Sequence, residues 1–206
     1  MLRAVRIAAW AGIAVLLFLS VALGIGWWRV DGPTVAQEVT SLPRAMPQIG
    51  GPFSLIDHRG RRVSEKDFAG RPMLVFFGFT HCPDVCPTAL FEMTTRLAAL
   101  GEEGAKLQAL FVTVDPERDT AAQMALYLGS FDPRIVGLTG SRAEVEAASA
   151  AYRVIARRVP LEDGGYTMDH TASVFMVDSA GRFAGTIDHH EDNEAALAKM
   201  RRLAGS

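Results

Sequence analysis

With only two cysteines among 206 residues, the chain has too few thiols for a disulfide framework or an all-thiolate structural zinc centre. The pair can make one bridge or one two-thiolate site. Basic excess is missing too: 21 Lys+Arg stand against 23 Asp+Glu, so no surplus charge is there to neutralise a phosphate backbone, and nucleic acid is not expected as a partner. No internal repeat or low-complexity tract appears, which sets aside solenoid and collagen readings. Disorder is excluded by a composition that is 49% apolar and 21% charged.

What the chain does have is one long uncharged run, residues 7–28. At ~1.5 Å per residue it is ~33 Å long as a helix, enough for a bilayer core. No polar face interrupts it as in an amphipathic core helix, and it ends in Gly26-Trp27-Trp28 rather than small residues at a cleavage site. An uncleaved transmembrane anchor is therefore expected, with the tryptophans at the interface. Arg3 and Arg6 precede it and Arg29 is followed by Asp31, so the positive-inside bias puts residues 1–6 in the cytoplasm. Beyond the anchor remain 18 of the 21 basic residues (all but Arg3, Arg6 and Arg29) and all 23 acidic ones, a formal net of −5 for the exported part.

Residues 29–51 carry Pro33, Pro43 and Pro47 with little periodicity and read as a tether. Residues 52–206 are then a single domain of ordinary size. Residues 53–57 and 61–63 suggest a hairpin around His58-Arg59-Gly60, and the apolar runs 73–79 and 107–114 suit buried central strands. Leu90, Met93, Leu97 and Leu100 recur at helical spacing after Pro87. Helices are expected at 120–130 and 141–152, the latter capped by Ser141 with Glu144 three residues on, around a strand at 135–138. A hairpin of 172–177 with 183–187 and an amphipathic helix 191–203 complete the domain. Strands alternating with helices and ending in hairpin plus helix predict an α/β fold, a central mixed sheet with helices on both faces.

The sharpest local feature is Phe79-Thr80-His81-Cys82-Pro83-Asp84-Val85-Cys86-Pro87, two cysteines three residues apart between a buried strand and a helix start. With Pro87 as the first helical residue, Cys86 is the cap, where unpaired N–H groups and the helix dipole favour a thiolate. Cysteines one turn apart can form a disulfide or ligate one metal. A purely structural bridge is disfavoured, because closing so small a ring removes little chain entropy. Two soft thiolates suit Cu(I), or Zn(II) with further hard ligands, and one imidazole would complete a three-coordinate copper site. Of the five histidines, His58 falls in a surface turn and should be solvated, His81 should face away from its neighbour Cys82, and His189 and His190 lie in a loop as exposed polar residues, with a weak accessory metal site as the lesser alternative. His170 stands apart. It opens the strand 172–177, and if that strand runs antiparallel to 73–79, its start lies beside the cysteines.

The cysteine segment, together with Val114-Asp115-Pro116-Glu117-Arg118-Asp119-Thr120, Gly137-Leu138-Thr139-Gly140, Ala151-Tyr152-Arg153-Val154 and Met168-Asp169-His170-Thr171, resembles the Sco/SenC family from about Pro52 to the C-terminus. The resemblance implies a thioredoxin-like three-layer fold behind one N-terminal membrane helix. It implies copper, as Cu(I) or as Cu(II) with added oxygen or water ligands, held by Cys82, Cys86 and His170. It also implies a metallochaperone role toward the copper-bearing subunit of cytochrome c oxidase, in assembling its binuclear copper centre. Arg118 is expected to pair with a nearby carboxylate and Asp115 to be a strand-end polar residue, both structural; no role carries over to His189 or His190.

The rival expectation is a thiol-disulfide reductase that keeps the oxidase cysteines reduced, with Cys82 and Cys86 as the redox pair. Against it, the spacer has three residues and no proline follows Pro160. A thiol peroxidase is less favoured, because nothing marks a separate resolving cysteine. The expected location is a bacterial inner membrane with the domain in the periplasm, since no Arg- and Ser-rich transit peptide precedes the span; the alternative is the mitochondrial inner membrane, facing the intermembrane space.

Overall fold

The computed structural model describes residue 10, residues 13–23, 49–162 and 164–206. The chain divides into two units, Met1–Met46 and Pro47–Ser206. In the first, residues 13–23 are helical and their apolar side chains are exposed. The rest of the expected span 7–28, apart from residue 10, and the tether up to residue 48 lie outside the described residues. Among the described residues no helix is long and apolar enough to cross a membrane.

The second unit is an α/β domain built on a seven-stranded mixed sheet. Its strands are β1 (Ser54–Asp57), β2 (Arg62–Ser64), β3 (Met73–Gly78), β4 (Gln108–Thr113), β5 (Ile135–Thr139), β8 (Val174–Val177) and β9 (Phe183–Ile187), in the order β2-β1-β5-β4-β3-β8-β9. Strands β3, β4 and β5 run parallel. Central β3 and β4 are buried at every position, which is why both read as continuous apolar runs without alternation. Phe76 stacks with Phe111 on one face, where Tyr127 joins them; Phe77 packs against Tyr152 and Phe175 on the other. Helices α1 (Val85–Ala99), α2 (Glu102–Lys106), α3 (Ala121–Leu128), α4 (Arg142–Ala151) and α5 (Asn193–Ala204) link and cover these strands. Ser141 and Glu144 form the expected capping box on α4.

Three expectations are corrected. Helix α1 begins at Val85 with Asp84 as its cap, so Cys86 is the second helical residue and not the cap. Pro87 is tolerated in the first turn, where its missing N–H has no intrahelical partner to lose. Second, His170 does not open the hairpin strand: it ends β7 (Tyr166–His170), which pairs with β6 (Ala156–Pro160) in a separate two-stranded ribbon. The sequence carries no apolar signature of the ribbon, because Arg157, Arg158 and Pro160 in β6 and Asp169 in β7 break any apolar pattern; β6 is mostly exposed and β7 mostly half-buried. Third, His58 is not simply solvated, since its Nδ1 accepts the Gly137 N–H at 3.1 Å. The condition set on the hairpin strand 172–177, that it run antiparallel to 73–79, does hold. Phe76 faces Val174, so β8 starts beside the end of β3 and returns the ribbon to the cysteines.

Candidate metal centre

The carboxyl end of β3 delivers the chain into the cysteine loop at Gly78. A Cβ built on Gly78 would lie 2.7 Å from Cys86 Sγ and 2.8 Å from Phe111 Cε2, so only glycine leaves room for the thiol. Cys86 heads the core stripe of α1 that continues through Leu90, Met93 and Leu97. It is therefore fully buried, while Cys82, in the loop before the helix, is partly exposed. Both cysteines are free thiols.

Cys82, Cys86 and His170 form a group whose ligand atoms all lie within 4.8 Å of one another. His170 Nε2 is 3.5 Å from Cys86 Sγ. The other ring nitrogen, Nδ1, lies 2.9 Å from the Thr171 carbonyl. A carbonyl only accepts, so Nδ1 carries the proton and the Nε2 lone pair faces the sulfurs, the tautomer a metal ligand needs. The rings of Phe76 and Phe79 pack against the imidazole in T-shaped arrangements, with centroids 6.3 and 5.7 Å from it. Burial lowers the His170 pKa and keeps the ring neutral.

The first-turn N–H groups act on a different sulfur from the one expected. The Cys86 N–H donates to Cys82 Sγ at 3.4 Å. Burial pushes the Cys86 thiol well above its ordinary value; a hydrogen bond from the Phe79 backbone opposes this without reversing it, and the neighbouring Cys82 adds to the rise. In the metal-free domain Cys86 is thus a protonated thiol, and a metal would have to displace that proton to bind it.

Asp119, which no sequence pattern singles out, fixes the loop. Fully buried, it accepts the Thr80 N–H at 3.0 Å, the Thr80 hydroxyl at 2.6 Å and the Thr113 hydroxyl at 2.6 Å. A single carboxylate thereby ties the residue two before Cys82 to the end of β4. His81 faces away as expected: its Nδ1 lies 3.1 Å from Thr80 Oγ1 and 3.7 Å from Asp119, and it does not join the thiol group. Asp115 and Arg118 pair with each other, so Arg118 has the carboxylate partner expected for it. The rings of His189 and His190 lie tilted to one another with centroids 4.5 Å apart and belong to no three-ligand group among the described residues.

The model of the SCO1/SenC family matches residues 42–205. Among solved structures, Bradyrhizobium japonicum ScoI with copper bound is 50% identical with a TM-score of 0.70, over 75% of this chain and 99% of that one. Yeast Sco1 with copper bound is 36% identical with a TM-score of 0.71, over 78% of this chain and 90% of that one. The Danio rerio mitochondrial SCO2 homologue is 43% identical over 157 residues, which are 74% of this chain and 55% of the relative. The chain spans 55–60% of the length of four such curated relatives.

Proposed function

The chain belongs to the SCO1/SenC family, and on that premise we propose that it binds copper as cargo through Cys82, Cys86 and His170 and delivers it to the binuclear copper centre of cytochrome c oxidase. The observation that carries the reading is the convergence of two sulfurs and an unprotonated imidazole nitrogen within 4.8 Å, a soft donor set suited to Cu(I). Copper-bound structures of two similar proteins support the choice of metal. The unequal burial of the cysteines suits release. Cys86 and His170 hold the inner side of the site, while partly exposed Cys82 is the ligand an acceptor's donor group reaches first.

The anchor and the compartment belong to this proposal. The uncharged run 7–28 supports one membrane span with the domain on the far side from the cytoplasm or matrix. The ScoI match is bacterial and the curated SCO2 match is mitochondrial; the same topology serves a periplasm or an intermembrane space. Alkaline phosphatase fused after Ser206 should be active in a bacterial host, and an inactive fusion would refute the topology.

The free, closely spaced sulfurs also favour a second reading, reduction of a disulfide in the oxidase subunit with formation of a Cys82–Cys86 disulfide. His170→Ala separates the two. Delivery requires the imidazole, so a folded, normally abundant His170→Ala protein should fail to support oxidase assembly in cells. Thiol exchange requires only the cysteines, and full assembly by that variant would reject delivery.

A further inference from the structure

The ribbon β6–β7 brings His170 to the cysteines without sharing a strand pairing with the main sheet. Its near end is tied by the Thr171 N–H to the Ile155 carbonyl at 3.0 Å and by the Ile155 N–H to Thr171 Oγ1 at 3.2 Å. Both bonds lie within the ribbon's own ends and fasten nothing to the domain. The far end, at Tyr166, is held differently. Arg118 Nη1 donates to the Tyr166 carbonyl at 3.0 Å, and its guanidinium lies over the Tyr166 ring, 3.8 Å from the centroid. Arg158 covers the same ring at 3.4 Å. The Tyr166 hydroxyl donates to Asp115 Oδ1 at 3.0 Å, and the other Asp115 oxygen takes the Arg118 Nε–H. Asp115 itself is buried, with its N–H on Thr113 Oγ1 at 2.9 Å. Arg118 also sits 5.7 Å from the centroid of the Phe79 ring, which packs at a right angle to His170.

We propose that Asp115, Arg118 and Tyr166 form a clasp that positions His170, acting through the ribbon to hold the imidazole against the thiol pair. This rests on the copper-binding reading above and assigns to the second motif a role in that site which touches none of its ligands. The clasp is built for geometry: a guanidinium supplies the planar stack and the forked donors together, which an ammonium cannot. Arg118, Asp115 and Tyr166 are positioning residues, and their loss should resemble loss of the imidazole while sparing the cysteines.

The test uses Tyr166→Ala, at a partly exposed site, with Arg118→Lys as the variant that keeps the charge and removes the fork. In the reduced metal-free protein, the His170 ring proton resonances of Tyr166→Ala should move toward those of an exposed histidine. The β6–β7 amides should lose exchange protection while those of β3 and β4 keep theirs. Cu(I) affinity, read by competition with a chromophoric chelator, should fall about 10–100-fold, as for loss of an outer-shell contact. In a His170→Ala background the same substitution should cause no further loss, because the effect runs through the imidazole. Arg118→Lys should reproduce the resonance shift in part. Unmoved His170 resonances in folded Tyr166→Ala, or affinity losses that add in the double variant, would overturn the clasp. Absence of Cu(I) binding by the unsubstituted protein would refute the copper reading instead, and the metal-free resonances and amide exchange would still decide the clasp.

Discussion

Gly78→Ala is the sharpest probe of how the fold sizes the thiol site. The added Cβ would meet Cys86 Sγ at 2.7 Å and Phe111 Cε2 at 2.8 Å, against an ordinary carbon contact of about 3.5–4.0 Å. Neither neighbour is a flexible chain end. Phe111 is a fully buried ring stacked on Phe76, and Cys86 is fixed in the first turn of α1. One of them must move by most of an ångström, and overpacking of this kind costs about 1–3 kcal/mol. For a chain of this size each kcal/mol lowers Tm by about 2–4 °C. Differential scanning calorimetry of the metal-free domain reads that term. Cu(I) competition reads the other: a displaced Cys86 sulfur should weaken binding by about tenfold, equivalent to about 1.4 kcal/mol. The backbone of Gly78 is not in the left-handed region, so any effect comes from space rather than strain. A Gly78→Ala protein with unchanged Tm and unchanged Cu(I) affinity would show that the sulfur is not held where the account requires it.

Asp119→Ala should destabilise the metal-free domain by about 1–3 kcal/mol through the stranded Thr80 N–H alone; an unchanged denaturant midpoint would contradict the role given to that carboxylate. Because His170 is buried neutral with a lowered pKa, the unfolded chain binds its proton first. His170 therefore costs no stability above the ordinary histidine value of about 6.5 and costs progressively more as pH falls below it, by up to about 1.4 kcal/mol per pH unit. Chemical denaturation between pH 7 and 5 should accordingly show a shallower loss in His170→Ala than in the unsubstituted protein, and parallel curves would refute the burial argument. The Cys86 proton must leave when copper binds, so apparent Cu(I) affinity should rise with pH through the neutral range, and a pH-independent affinity would exclude that thiol as a ligand.

The α/β class and the central strands were readable because β3 and β4 are buried on both faces and carry runs that no amphipathic helix shares. The Ser141–Glu144 cap was readable because it is a local contact. The ribbon was not, since Ala156–Pro160 pairs locally with Tyr166–His170 as a hairpin whose strands carry Arg157, Arg158, Pro160 and Asp169 and so have no apolar alternation to announce them. Cys82 and Cys86 were legible from their spacing, but the environment of Cys86 was not: the dipole argument treats a helix start as exposed, and here the first turn already belongs to the core, so burial outweighs the N–H groups. His170 was placed near the thiols through the antiparallel return of the chain, which is correct, although the strand that carries it is a different one. Asp119 and Tyr166 had no signal of their own; a buried carboxylate and a stacked tyrosine become visible only when β4 and the ribbon are brought together.

Whether Cys82, Cys86 and His170 act as one copper site is decided by a Cu(I) titration of the reduced protein against a chromophoric competitor. About one tightly held Cu(I) per chain is expected from a three-ligand site, with weaker binding in His170→Ala and none of that binding once the cysteines are oxidised to a disulfide. Equal Cu(I) binding by the oxidised protein, or by a protein in which both cysteines are replaced by serine, would contradict the three-ligand site.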